Sequence, residues 1–170
     1  MGGSLGLRIY DVPASQGVYT LIIRMRRPEE IRVGRLGSKV FPEGYYSYTG
    51  SAFGRGAFNL NGRVRRHLRQ KESMRWHIDY LLSGKSAEIE AVVFSESDAN
   101  RECKVSKSIG LLSGVEVIMT RFGSSDCRFG CRSHLLYFAE KALSRVIKSV
   151  FRVYEEIGLK PHTLILKRTP

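Results

Sequence analysis

From Gly17 to Met25 the chain runs Gly-Val-Tyr-Thr-Leu-Ile-Ile-Arg-Met, rich in β-branched and aromatic residues, and this predicts a strand. After Arg27-Pro28 an alternating pattern restarts at Glu29 and runs to Val33, so the two segments are expected to pair as a hairpin. A third run, Tyr45 to Thr49, follows the turn signal Phe41-Pro42-Glu43-Gly44 and ends at Gly50. Together the three predict an antiparallel meander, with residues 51–58 as a loop behind it.

The period then changes. Between Asn59 and Gln70 the apolar residues Leu60, Val64 and Leu68 recur every four positions, which predicts a helix with Arg63 and His67 at the edge of its apolar stripe. Arg65 and Arg69 should project outward. Residues 76–82 read as a short helix stopping near Gly84, and residues 87–94 as a buried strand. A helix is expected from Asp98 to Ile109 with Ser97 as its cap, then a strand from Val115 to Thr120 and a polar loop from Arg121 to Ser133. Apolar residues at three-to-four spacing predict a long helix over 139–157, stopped by Gly158, and Thr163 to Leu166 reads as a terminal strand. Residues 1–10 and 160–170 are terminal segments. No repeat, low-complexity tract or linker interrupts 17–158. The expectation is one mixed α/β (α+β) domain, a small antiparallel three-stranded sheet flanked by helices, with additional strands and a long C-terminal helix.

Charge changes this picture by pointing to a partner. The 170 residues include 28 Lys and Arg against 16 Asp and Glu, a net charge of +12. Such a surface favours polyanions, with nucleic acid first and plain solubility as the alternative. No apolar stretch approaches the about 18 residues of a membrane span, and Met1-Gly2-Gly3-Ser4 lacks the regions of a signal peptide, so a soluble cytoplasmic protein is expected. Sparse Gln and Asn beside abundant Arg fit a thermophile. The 3 cysteines make no disulfide framework, although Cys127 and Cys131 could pair.

Three fragments carry the candidate chemistry: Gly17-Val18-Tyr19, Tyr48-Thr49-Gly50, and Arg63 with His67 on the following helix. In order and spacing they resemble the signature of the GIY-YIG nuclease superfamily, over roughly residues 17–110, with 111–170 as a cysteine-containing and helical extension. The wider pattern of YYSYTGSA (45–52), RHLR (66–69), WHIDYLL (76–82), REC (101–103) and SDCRFGCRSH (125–134) is similar to an archaeal branch described as a domain of unknown function. Some members of that branch are fused to repair enzymes of the DNA-glycosylase type.

The resemblance implies roles. Tyr19 is the candidate general base for the attacking water, and Tyr48 positions water or the scissile phosphate. A phenol of ordinary pKa near ~10 needs nearby positive charge to act as a base, and Arg63 fits that need while its fork holds a phosphate oxygen. His67 would donate to the leaving group. Relatives hold one divalent ion on a glutamate of a later helix, and Glu102 matches that place, with Glu88, Glu90 and Glu96 as rivals; Mg²⁺ or Mn²⁺ is the implied cofactor. Gly17 and Gly50 would be the structural turns at the site, Gly50 letting backbone approach the active-site tyrosine.

Around this centre, Arg55, Arg65, Arg66, Arg69 and His77 are the candidate nucleic-acid contacts. His77 is read as structural first and as a phosphate or base contact second. Phe53 and Phe58 flank Arg55 and could stack an unpaired base, and Lys141, Arg145, Lys148 and Arg152 form a basic stripe on the last helix. Cys127, Cys131 and His134 have spacing that could serve zinc, with Cys103 or His77 as a fourth ligand, against a disulfide or buried thiols. Asp126 and His134 are alternatives for completing the active site, where the late asparagine of relatives has no clear match.

The function expected is metal-dependent endonucleolytic hydrolysis of DNA, with repair implied only by the resemblance. The alternative is an inactive binding module for DNA or RNA on the same fold. Binding is expected to select nucleic-acid structure, or nothing, rather than sequence.

Overall fold

A computed structural model describes residues 8–69 and 73–166. The strands there are β1 (Gly17–Met25), β2 (Glu29–Arg32), β3 (Ser38–Phe41), β4 (Gly44–Ala52), β5 (Ala87–Glu96), β6 (Val115–Glu116), β7 (Leu135–Phe138) and β8 (His162–Ile165). The helices are α1 (Leu60–Leu68), α2 (His77–Leu82), α3 (Glu102–Gly110) and α4 (Leu143–Glu156). Gln70, the last residue of the helix expected over 59–70, lies outside the described residues, as do the ends 1–7 and 167–170.

β1 is central in a six-stranded antiparallel sheet of order β6-β7-β4-β1-β5-β8. The mixed α+β class holds, but the three-stranded meander does not: β1 pairs with β4 and β5, while β2 leaves the sheet and pairs with β3. The turn between β2 and β3 uses Gly37 at φ +88°, a conformation glycine adopts without steric cost. β3 escaped prediction because three of its four residues are exposed, leaving no buried alternation to read.

Both faces of the sheet are covered. Tyr19, Leu21, Ile23 and Met25 point into a core shared with Leu60 and Val64 of α1, Ile78 and Leu81 of α2, and Ile31, Val33 and Phe41 around the β2–β3 hairpin. Val18 and Ile22 point the other way, into a core built with Val105 and Ile109 of α3 and Val146, Val150, Val153 and Tyr154 of α4. Burial on both faces explains why β1 reads as an almost unbroken apolar run. Each such aliphatic side chain stabilises the fold by roughly 1.5–3 kcal/mol.

Several boundaries move. Ser51 and Ala52 belong to β4 rather than to a loop. α3 starts at Glu102, not Asp98: Ser97 hydrogen-bonds Ala99 in a local turn, and Asn100 Oδ1 accepts the Glu102 amide at 3.0 Å. The strand expected over 115–120 shrinks to β6, while β7, unforeseen after the cysteine loop, takes the pairing with β4. α4 begins at Leu143 and closes at Gly158, φ +85°, whose amide bonds Glu155 O. No helix among the described residues is long and apolar enough to cross a membrane.

Candidate active site and the cysteine cluster

Antiparallel register puts Tyr19 opposite Gly50 and Leu21 opposite Tyr48, so the two tyrosines are diagonal neighbours on one face. A Cβ on Gly50 would lie 2.4 Å from Tyr19 Oη, and one on Gly17 would lie 2.2 Å from Ser95 O. Both glycines are therefore demanded by close approach rather than by turn geometry.

α1 brings Arg63 and His67 over this face, its N-terminus fixed by Asn59, whose side chain accepts the Gly62 amide at 2.8 Å. Arg63 lies over the rings of Phe58 and Trp76, 5.2 and 4.6 Å from their centroids, and has no carboxylate partner among the described residues. Its Nε is buried without a hydrogen bond. A cavity of about 440 Å³ opens here, lined by Tyr19, Tyr48, Gly50, Ser51, Arg63 and Trp76 on one side. The first turn of α3 adds Glu102 and Cys103, Asn100 precedes them, and Gly123, Asp126, Cys127, Arg128, Phe129 and His134 close the far side.

Four of the five expected catalytic residues thus share one cavity, and the fifth does not reach it. His67 is buried behind Tyr19, with Nε2 2.8 Å from the Tyr19 hydroxyl, and it does not line the cavity. It is placed to serve the tyrosine rather than a leaving group. Tyr19 is not the ready base expected: burial pushes its pKa far up, and Arg63 and Arg66 only partly offset burial and the charges of Glu102 and Asp79. Tyr48 is raised too, chiefly by burial.

Glu102 accepts from Ser51 Oγ at 3.3 Å on Oε2, while Oε1 lies 3.2 Å from His134 Nδ1, close enough for an ion pair though not aligned as a hydrogen bond. The other candidate glutamates lie elsewhere. Glu90 meets the Tyr45 hydroxyl, Glu88 pairs with Arg26, and neither these nor Glu96 lines the cavity.

The expected nucleic-acid contacts divide. Arg66 is committed to structure: its fork grips the buried Asp79 through two 2.9 Å hydrogen bonds and lies 3.9 Å from the Trp76 centroid. Asp79 also accepts the Arg75 and Trp76 amides, and these donors outweigh burial to hold its pKa below the usual value. His77 is structural as well, its Nδ1 accepting the Gly123 amide at 2.9 Å against the Phe122 ring. Arg65 is half-buried and lies over Tyr10 rather than projecting freely, whereas Arg55 and Arg69 are exposed. Trp76, Ser51 and Arg128 were not foreseen. The lone Trp in a basic chain was the available signal for the first; the other two carry none.

Phe122, fully buried against Phe41, Tyr48 and His77, anchors the polar loop, and its carbonyl accepts the His134 amide at 2.8 Å. Cys103, Cys127, Cys131 and His134 then present ligand atoms all within 4.8 Å of one another, a set that could hold a metal ion. The fourth member is Cys103, not His77. All three cysteines are free thiols, so the Cys127–Cys131 disulfide is not formed.

Fold and site together define an α+β protein with a polar cavity at one end of an antiparallel sheet, beside a Cys₃His cluster. Residues 18–156 match the family described as Domain of unknown function DUF123, and the chain belongs to that family. No curated protein and no solved structure matches the chain.

Proposed function

We propose that this protein is a metal-dependent phosphodiesterase of the GIY-YIG type that cleaves nucleic acid, DNA in preference to RNA. The observation that carries the reading is the meeting of Tyr19, Tyr48, Arg63 and Glu102, from four separate elements, around one cavity in which Arg63 has no carboxylate of its own among the described residues. Convergence of groups so far apart in sequence, on a chain of net charge +12, suits a bound phosphodiester better than it suits packing.

Arg63 is held between two aromatic faces and lines the cavity, so it binds a phosphate oxygen and stabilises the charge that develops there. Tyr19 works with His67. Neutral His67 accepts the phenolic proton at Nε2 in the same step in which the Tyr19 oxygen takes the proton of the attacking water, so the charge ends on His67 as imidazolium. The phenol then stays neutral throughout, which removes the obstacle of its raised pKa. Tyr48 orients the water or the phosphate from the neighbouring strand.

The donor set fits a hard cation: Glu102 faces the cavity, and Asp126 and Asn100 line it as further oxygen donors. Mg²⁺ or Mn²⁺ bound there supplies neutralisation of phosphate and leaving-oxygen charge.

The test is incubation of purified protein with labelled single-stranded, duplex, branched and abasic DNA and with RNA, in Mg²⁺, Mn²⁺ or EDTA, beside an Arg63→Ala/Glu102→Ala variant. Metal-dependent cleavage lost in the variant is expected. One observation favours a second reading, a binding module without turnover: Glu102 already has an ion-pair partner in His134 and both tyrosines are hard to ionise. Salt-sensitive binding with no cleavage in any condition would select it.

A further inference from the structure

We propose that Cys103, Cys127, Cys131 and His134 hold one zinc ion in a closed tetrahedral site, and that this site sets the orientation of Glu102. The first half stands on the cluster alone; the second rests on the nuclease reading.

The spacing suits a tetrahedron. A zinc–sulfur distance of about 2.3 Å gives ligand–ligand edges of about 3.8 Å. Cys103 Sγ lies 3.3 Å from Cys127 Sγ and 3.8 Å from His134 Nε2, and the whole set spans no more than 4.8 Å. A disulfide requires about 2.05 Å and would strand the third sulfur and the imidazole. Three soft thiolates and one imidazole select zinc over Mg²⁺ or Ca²⁺, and four protein ligands leave no open position, so the role is structural.

Two further contacts point the same way. The Phe129 amide donates to Cys127 Sγ at 3.4 Å, the acceptor role of a thiolate. His134 turns Nε2 to the sulfurs and Nδ1 to Glu102 Oε1, the arrangement in which a carboxylate orients a metal-bound imidazole. Conversely, a fixed His134 ring holds the carboxylate, making His134 a positioning residue for the neighbouring cavity.

The loop needs such a staple. Between Phe122 and Ser133 no apolar side chain is buried, and Phe129 is 72% exposed. Yet this stretch supplies Gly123, Asp126, Arg128 and Phe129 to the cavity wall. Metal binding contributes folding free energy where a core does not.

The experiment uses the full chain, reduced and stripped with a chelator, then titrated with Co²⁺ and back-titrated with Zn²⁺. One Co²⁺ per chain is expected, with the strong visible bands of tetrahedral thiolate cobalt displaced by zinc, and about one zinc is expected per chain as purified from zinc-supplemented cells. Cys131→Ser should lose the cobalt bands. Absence of the bands, together with three thiols that react fully in the presence of zinc, would overturn the site. The zinc content of unstripped protein keeps the test decisive if stripping or the variant prevents folding. His134→Cys separates the halves: it should retain zinc on four thiolates while cleavage falls by about 10-fold to 100-fold, the usual effect of losing an outer partner. Retained zinc with unchanged cleavage removes the positioning role. A protein that binds zinc but cuts nothing removes the nuclease reading with it and leaves the zinc site standing.

Discussion

Tyr19 and Thr20 are adjacent on β1, Tyr48 and Thr49 adjacent on β4, and alternation sends each pair to opposite faces. On the α4 face, Thr20 Oγ1 lies 2.9 Å from Thr49 Oγ1 and 2.8 Å from the Tyr154 hydroxyl, which also reaches Val93 O at 3.3 Å. That trio is buried and satisfied from within. On the α1 face, Tyr19 and Tyr48 border a cavity, and Arg63 Nε is buried without a hydrogen bond. Two polar clusters one residue apart therefore differ in what they leave over. The satisfied trio holds the fold together; the cluster in which Arg63 keeps a spare donor is built to meet something else.

The largest effect should come from the one closed knot within the open face. Asp79 is wholly buried, and its removal takes away both 2.9 Å hydrogen bonds to the Arg66 fork and the acceptor of the Arg75 and Trp76 amides. Asp79→Ala is expected to cost about 3–5 kcal/mol, read as a lowered denaturant midpoint. The linked pH dependence has a definite sign. The folded pKa of Asp79 is depressed, so its contribution is present above the ordinary carboxylate pKa and is lost as pH falls through the folded value. The wild-type protein should therefore lose stability in acid, below about pH 4, and the Asp79→Asn variant should show a flatter profile there.

Arg63→Ala comes next and sharpens the contrast. It removes a group whose contacts are aromatic faces rather than partners, so thermal unfolding should move by no more than a few degrees. Cleavage should fall by about 100-fold to 1,000-fold. A large loss of stability with proportionate loss of activity would make Arg63 a structural residue and erase the difference between the faces.

Tyr154→Phe is the mirror experiment, compared with Tyr19→Phe. The first removes a satisfied hydroxyl and leaves Thr20 short of a partner, at a cost of about 1–3 kcal/mol with cleavage per folded molecule unchanged. The second should lower cleavage with the smaller effect on stability, assayed by urea unfolding and initial rates on the same preparations. Equal behaviour of the two would mean that both clusters are packing.

Local pattern carried β1, β4, α1 and the body of α4, because each declares its period within one element. Pairing was less legible. The alternation at Glu29–Val33 specifies a strand but not its partner, and the true neighbours of β1 lie beyond a hairpin and two helices. Tyr19, Tyr48, Arg63 and Glu102 could be singled out through motif resemblance. That His67 stops at Tyr19, that Arg66 is tied to Asp79 and that Cys103 meets a loop 24 residues downstream are facts of three-dimensional packing with no local signature.

The smallest expected effect tests whether the basic charge of the two faces is equivalent. Lys148 and Arg152 are exposed on the outer side of α4, whereas Arg128 lines the cavity and Arg55 is exposed beside the neighbouring turn. A side chain that neutralises a phosphate on binding releases counterion, and its loss lowers the slope of log affinity against log salt by about 0.9 for duplex DNA. Arg128→Ser should show that change, measured by fluorescence anisotropy across a salt series. Lys148→Ser/Arg152→Ser should leave the slope where it was and stability within about 0.5 kcal/mol, because a solvated stripe on the closed face contacts no phosphate. A slope reduced equally by both would show nucleic acid wrapping onto the α4 face, and the division of labour between the two faces would then hold for catalysis but not for binding.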